Sequence, residues 1–301
     1  LVRPEDERRH PSDAEQLWGE SYYLDFATDD GALGGYVRLG WYPNLGVVWW
    51  TAAIVEPGGP SHLWVCYDAP ATSTTSATGP NFTADLDVVT PLEEMRVRAQ
   101  GVGESYANAV DVYDGGNGQP IEMEFDLSWR TDGQPFHYDS VTRYEIPCLV
   151  SGSLQLGGRT VTIEGQGQRD HSWGVRDWWA FGWCWMAARL SDGARLHAVD
   201  VRIPGMDVAF GYVQDPPGSL VAVNSAAVTE DLGPEGLPTR GRANFNDGLA
   251  VLDIEPLGFA PLVLTSDDGR IARFPRAMAR FAESGGRSGL GWIEWNQPQG
   301  D

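Results

Sequence analysis

From Ile121 the chain reads IEMEFDLSWR, and every second side chain is apolar: Ile121, Met123, Phe125, Leu127 and Trp129 alternate with Glu122, Glu124, Asp126 and Ser128. A period of two places alternate side chains on opposite faces of a strand. This segment therefore predicts a strand with one wet face and one face that other strands must cover. The same grammar recurs along the chain. YYLDFATDDGALGGYVRLGWYP predicts two strands about a turn at Asp29-Asp30-Gly31. LGVVWWTAAIV and SHLWVCYDA are β-branched and aromatic runs bounded by Gly and Pro. SGSLQLGGRTVTIEGQGQR predicts a hairpin that turns at Gly157-Gly158. Helical periodicity is scarce, and ARFPRAMARFAES fits either a helical turn or another strand. The expected class is all-β, built from many antiparallel strands.

At 301 residues the chain has room for two domains. An internal echo supports that division. The first hairpin carries aromatics, then Asp30-Gly31, then Tyr36-Val37-Arg38; from Trp183 the order returns as Trp183, Trp185, Asp192-Gly193 and Val201-Arg202. GQGQRDHSWG and GGRSGLGWIEWN each close a segment with glycines, an acidic residue and a tryptophan. The expectation is two related β-domains in tandem, 1–178 and 179–301.

Charge narrows the partners. The formal net charge is -21, and all 21 basic side chains are arginine. So acidic a surface repels nucleic acid and anionic membranes. Without lysine, Schiff-base chemistry and covalent pyridoxal phosphate are excluded. No apolar run is long enough to span a bilayer and no signal-type segment opens the chain, so a soluble, cytoplasmic protein is expected. Cys66, Cys148 and Cys184 stand far apart among apolar neighbours and read as buried thiols. The histidines (His10, His62, His137, His171 and His197) are isolated in sequence, and neither a phosphate loop nor a Gly-x-Ser-x-Gly elbow occurs. No metal and no cofactor are expected.

The densest chemistry lies in GQGQRDHSWGVRDWWAFGWCW, residues 165–185, with five tryptophans. Read as a strand, RDHSW puts Arg169, His171 and Trp173 on one face and Asp170 and Ser172 on the other. Asp170 and His171 therefore cannot both enter one pocket without a bulge. His171 reads either as a proton donor or acceptor at a barrel mouth, or as part of a structural latch. Asp170 reads chiefly as an anchor, for loop amides or for Arg176. Arg176-Asp177 is either a linker ion pair or a pair of groups at a domain interface, where pockets form. Trp18, Trp64 and Trp129 read as core. The cluster of Trp173, Trp178, Trp179, Trp183 and Trp185, joined by Tyr23 from the first hairpin, is denser than one core needs and suits the wall of a hydrophobic ligand site. Each well-placed ring would stabilise a cation by about 0.5–2 kcal/mol. Glu145 in RYEIPC and Glu294 in WIEW are acids within apolar strands. On an aromatic face such an acid stays protonated and donates; strand alternation would instead leave it in solvent.

Asp170-His171-Ser172-Trp173-Gly174, preceded by Gly167, resembles the Asp-His-x-Trp-Gly signature of the carotenoid hydratases (hydroxyneurosporene synthases). WCWMAARLSDGARL and the terminal GLGWIEW, which carries Glu294, resemble segments that follow it in that superfamily, whereas RDWW after Val175 lies outside the signature. The resemblance implies two lipocalin-like antiparallel β-barrels packed side by side. It also implies cofactor-free chemistry on isoprenoid or polyene chains. The expectation is a hydratase, isomerase or cyclase acting on a terpenoid-like substrate, with His171, Glu294, Glu145 and Asp170 as candidate acid–base groups. A non-catalytic carrier of a hydrophobic ligand and a pericyclase are the alternatives. The opening of the tryptophan-rich stretch is expected to end the first barrel, residues 174–182 to cross over, and Trp183 to begin the second.

Overall fold

An apolar strand face must be covered, and this chain covers it with more strands. The computed structural model describes residues 1–216 and 218–300. The strands are β1 (Trp18–Thr28), β2 (Gly34–Tyr42), β3 (Val47–Val55), β4 (Ser61–Pro70), β5 (Ser76–Gly79), β6 (Phe82–Thr90), β7 (Glu94–Tyr106), β8 (Gln119–Thr131), β9 (Phe136–His137), β10 (Arg143–Leu156) and β11 (Arg159–Val175). They continue as β12 (Gly182–Leu190), β13 (Arg195–Arg202), β14 (Val208–Asp215), β15 (Ser219–Val223), β16 (Ala226–Leu232), β17 (Pro238–Phe245), β18 (Ala250–Phe259), β19 (Leu262–Thr265), β20 (Ile271–Phe274), β21 (Arg276–Glu283) and β22 (Ser288–Pro298). Helical structure among the described residues is limited to short 3-10 turns at Pro4–Glu7 and Ala109–Val112. Among the described residues no helix is long and apolar enough to cross a membrane. ARFPRAMARFAES resolves as strand: Pro275 separates β20 from β21.

The protein is all-β, with two curved antiparallel sheets. The first runs β4-β3-β2-β1-β11-β10-β8-β7-β6-β5. β7 gives one part of its edge to β6 and its end to β4, where Ser61 pairs with Tyr106, so the ladder path from β1 returns to β1. The second sheet runs β15-β14-β13-β12-β22-β21-β18-β17-β16, with β20 attached to β22 and β19 to β20. Residues 176–181 cross from β11 in the first sheet to β12 in the second.

Burial follows the alternation. On β8, Met123, Phe125, Leu127 and Trp129 enter the first core while Glu122 and Glu124 stay outside. β1 is buried at every position because it is covered twice. Tyr22, Leu24 and Phe26 face the first core, whereas Tyr23 and Ala27 pack with Trp185, Met278 and Trp292 of the second sheet. Trp292 Nε1 donates to the Phe26 carbonyl at 2.8 Å. The sheets approach closely here: a Cβ on Gly34 would lie 2.6 Å from Met278 Sδ. All three cysteines are free and buried.

The N-terminal segment is stapled to the first sheet by buried charge. Glu7 takes a hydrogen bond from the Tyr144 hydroxyl at 2.7 Å and an ion pair from Arg169. Glu20 accepts from Arg9 Nε at 2.6 Å and lies 2.8 Å from His10 Nδ1 and 3.0 Å from His171 Nε2. Burial alone would raise the Glu20 carboxyl, but hydrogen bonds from His10, His171 and Arg9 overcome it and hold it down at about 2. A depressed carboxyl contributes stability above its unfolded value of 4.5, and that contribution is lost as pH falls through the folded value. Glu20→Gln should therefore lower unfolding free energy by about 3 kcal/mol at pH 7. Urea titrations should show the gap between wild type and variant closing as pH falls from 4.5 towards 2.

Candidate functional site

Strand register lines up the polar groups in two rows. In the first sheet Arg38 lies opposite Tyr23, Tyr23 opposite Asp170, and Asp170 opposite Glu145. In the second sheet Arg276 lies opposite Glu294, Glu294 opposite Trp185, Trp185 opposite Val199, and Val199 opposite Phe210. Directly paired residues present their side chains on one face. The rows meet where Trp185 Nε1 donates to Glu145 Oε1 at 3.1 Å and the Tyr23 ring stands edge-on to Trp185, centroids 5.3 Å apart. Beside this contact lies a cavity of about 680 Å³, a size suited to a small organic molecule. Its apolar wall comes from Trp183, Trp185, Val199, Val201 and Phe210. Its polar wall holds Arg38, Arg143, Asp170 and Ser172, with Glu294 and Arg276 on the second sheet.

Glu145 is fully buried behind that wall. Its Oε1 accepts from Arg143 Nε at 2.8 Å and from Trp185 Nε1, and its Oε2 accepts from Gln168 Nε2 at 3.0 Å. Arg143 also reaches Asp170 Oδ2 at 2.6 Å, so one guanidinium clamps two neighbouring carboxyls. Tyr138 packs beside them, its hydroxyl hydrogen-bonded to His197 Nε2. His197 donates from Nδ1 to the Met186 carbonyl at 2.9 Å, which leaves Nε2 to accept the tyrosine proton. Burial, reinforced by Arg143, holds the His197 imidazole well below its usual range.

Asp170 differs from the other acids. Oδ1 has no hydrogen-bond partner among the described residues, and the residue lines the cavity. Burial pushes its carboxyl up to about 6; Arg143 pulls against this and Glu145 adds to it. Glu294 also lines the cavity, but its Oε1 accepts from Trp183 Nε1 at 3.2 Å and its Oε2 pairs with Arg276. Both oxygens of Glu294, like those of Glu145, accept hydrogen bonds or ion pairs in this arrangement.

The expected alternation holds on β11, and it separates Asp170 from His171. His171 points into the first core, stacks on Tyr22 at 3.9 Å, and lies 3.0 Å from Glu20 through Nε2 and 2.9 Å from the Asp6 carbonyl through Nδ1. Burial keeps its pKa below the usual value despite the pull of Glu20. It is the latch, and it does not line the cavity. Asp170, expected to anchor loop amides or Arg176, instead pairs with Arg143 and faces the cavity. Asp177 pairs with Arg270, and Arg176 makes no ion pair within 4.0 Å among the described residues. Trp173, Arg176, Asp177, Trp178, Trp183, Trp185 and Tyr23 line the cavity. Trp179 does not: it packs on Leu262, Leu264 and Phe274. The fold also gathers histidines that are isolated in sequence, with ligating atoms of His10, Glu20 and His171 within 4.8 Å of one another. Arg9 already occupies the carboxylate there, which disfavours a cation.

Sequence reasoning passed over Arg38, Arg143, Arg276, Tyr138 and His197. A signal existed for three of them. Arg143 stands two residues before Glu145, hence on its face, while Arg38 and His197 are polar residues inside apolar strands.

The family described as a domain of unknown function (DUF7064) matches residues 3–299, and the chain belongs to it. No curated protein sequence matches the chain. Among solved structures it is similar to a protein assigned as AttH from Nitrosomonas europaea, with 16% identity, 98% of this chain and 96% of that chain covered, and a TM-score of 0.68. It is also similar to kievitone hydratase from Nectria haematococca, with 12% identity, 93% and 89% covered, and a TM-score of 0.61. CghA follows with 11% identity, 95% and 89% covered, and a TM-score of 0.59. At these identities the likeness is one of fold.

Arg143→Met should leave Glu145 and Asp170 without their counter-ion. The expected cost is about 3–5 kcal/mol in chemical denaturation. NMR titration of Asp170 should show its carboxyl moving further up, because the cation that lowers it is gone.

Proposed function

We propose that this DUF7064 protein is a cofactor-free enzyme that performs acid–base chemistry on a hydrophobic alkene bound between its two sheets. The observation that carries this reading is Asp170: a buried carboxyl on the cavity wall, one oxygen fixed by Arg143 and the other unpartnered among the described residues, with burial pushing it up to about 6. A carboxyl tuned towards neutrality is the general acid that alkene protonation needs. The halves 1–178 and 179–301 act as two lipocalin-like barrels with the substrate in the seam between them. The shared fold with a protein named as a hydratase supports the same reading, as does the resemblance of residues 170–174 to the carotenoid hydratase signature. The substrate class is isoprenoid or polyene, and the reaction is hydration, or isomerisation or cyclisation from the same cation.

In hydration, Asp170 transfers its proton to one alkene carbon and is left as the carboxylate. The cation on the adjacent carbon lies among the faces of Tyr23, Trp183 and Trp185. Water adds its lone pair there, and the proton it sheds returns to Asp170, so the balance is one water across one double bond. Arg143 holds the carboxyl in place, Glu145 holds Arg143, and Trp185 holds Glu145.

Since the acid form is the reactive one, kcat should fall as pH rises through about 6. Arg143, Arg176 and Arg38 face the carboxyl and lower that value, and Glu145 raises it. Asp170→Asn should reduce turnover of a responsive isoprenoid by about 100- to 10,000-fold while leaving its binding intact. Incubation in heavy-oxygen or deuterated water should place label in the product. Absence of label across a broad terpenoid panel, with a lipid co-purifying in native mass spectrometry, would establish a carrier instead.

A further inference from the structure

The cavity is lined by four arginines, Arg38, Arg143, Arg176 and Arg276. Two are committed: Arg143 to Glu145 and Asp170, and Arg276 to Glu294. The other two are not. Arg38 is only 8% exposed, yet its one side-chain hydrogen bond is Nη2 to the Tyr42 hydroxyl at 3.3 Å, and its guanidinium lies 5.0 Å over the Trp178 ring. Arg176, on the crossing segment, has no side-chain hydrogen bond and no carboxylate within 4.0 Å among the described residues. This is a chain with 42 acidic residues against 21 arginines. A carboxylate was the easiest partner for it to supply, and among the described residues none is placed within 4.0 Å of either guanidinium. Burying a cation without a counter-charge is expensive.

We propose that Arg38 and Arg176 form an anion subsite of the cavity, and that it takes a carboxylate at one end of an otherwise apolar substrate. Charge favours an anion, and a carboxylate answers it. Arg38, Arg143 and Arg176 bring three positive charges to this end, and Glu145 and Asp170 return at most two. Geometry favours it as well, because guanidinium forks bind a planar carboxylate in bidentate fashion. The tryptophan-lined wall opposite then receives the hydrocarbon.

This rests on the cavity being the ligand site, but not on Asp170 being the acid. The test compares retinoic acid with retinol, one polyene skeleton with and without the carboxylate, by quenching of tryptophan fluorescence. Wild type should bind the acid at least tenfold more tightly. Arg38→Gln and Arg176→Gln should each remove most of that preference and leave retinol binding unchanged. Arg176 is partly exposed, so its variant gives a result even if the Arg38 variant does not fold. Equal affinity for the two ligands, no binding of either, or variants that weaken both alike would overturn the proposal. An arginine-dependent preference without turnover of any substrate would leave the subsite standing and remove the enzyme reading alone.

Discussion

The hydrogen bond from the Trp185 indole to the buried Glu145 carboxyl is where the two sheets are tied at their polar centre. Glu145 has no contact with solvent and no second site at which to satisfy its oxygens. Removing such a group from water is tolerable only if every lone pair finds a donor. Arg143 and Gln168 come from the first sheet and Trp185 from the second, so docking of the sheets adds a donor to an acid the first sheet already holds. Docking in turn requires that β1 bury both of its faces, and it is buried at every position. The tie also orients Arg143, and through Arg143 the carboxyl of Asp170. Fold stability and site geometry therefore depend on the same few bonds.

Around that tie the interface divides by chemistry. Towards one side it closes as aromatic and aliphatic packing, with Tyr36 edge-on to Trp292 and Met278 against Gly34. Towards the other it stays open, and there the arginines collect. A fully packed interface would have no room for a ligand, and one without buried charge would have no means of placing a proton. The cavity combines an aromatic wall with a carboxyl whose burial raises it towards neutrality. That combination suits cation chemistry in a dry site.

The sequence alone can be read surprisingly far in some places and not at all in others. Alternation in IEMEFDLSWR identifies the inward face of β8 residue by residue, and Gly157-Gly158 marks the turn between β10 and β11. Alternation in RDHSW likewise separates Asp170 from His171. It does not say which of the two faces meets the cavity, and the histidine, the more familiar acid–base group, turns out to be the latch. The reason lies far away in the chain: His171 is claimed by Asp6 and Glu20, partners more than a hundred and fifty residues distant. The crossing is local in sequence and is legible to within two residues, expected at 174–182 and found at 176–181; the rows that line up Arg38, Tyr23 and Asp170 are not local.

The sequence by itself determined the strands, their wet and dry faces, the class of fold and the aromatic character of the seam. Each of these follows from side chains within a few residues of one another, because pleat and turn are local properties of the backbone. Tertiary structure decided which acid meets the cavity, which arginines lack partners, and which carboxyls are held as acceptors. Those outcomes depend on pairings across sheets and on burial, and burial sets the charge of an acid only after the whole chain has excluded water from it.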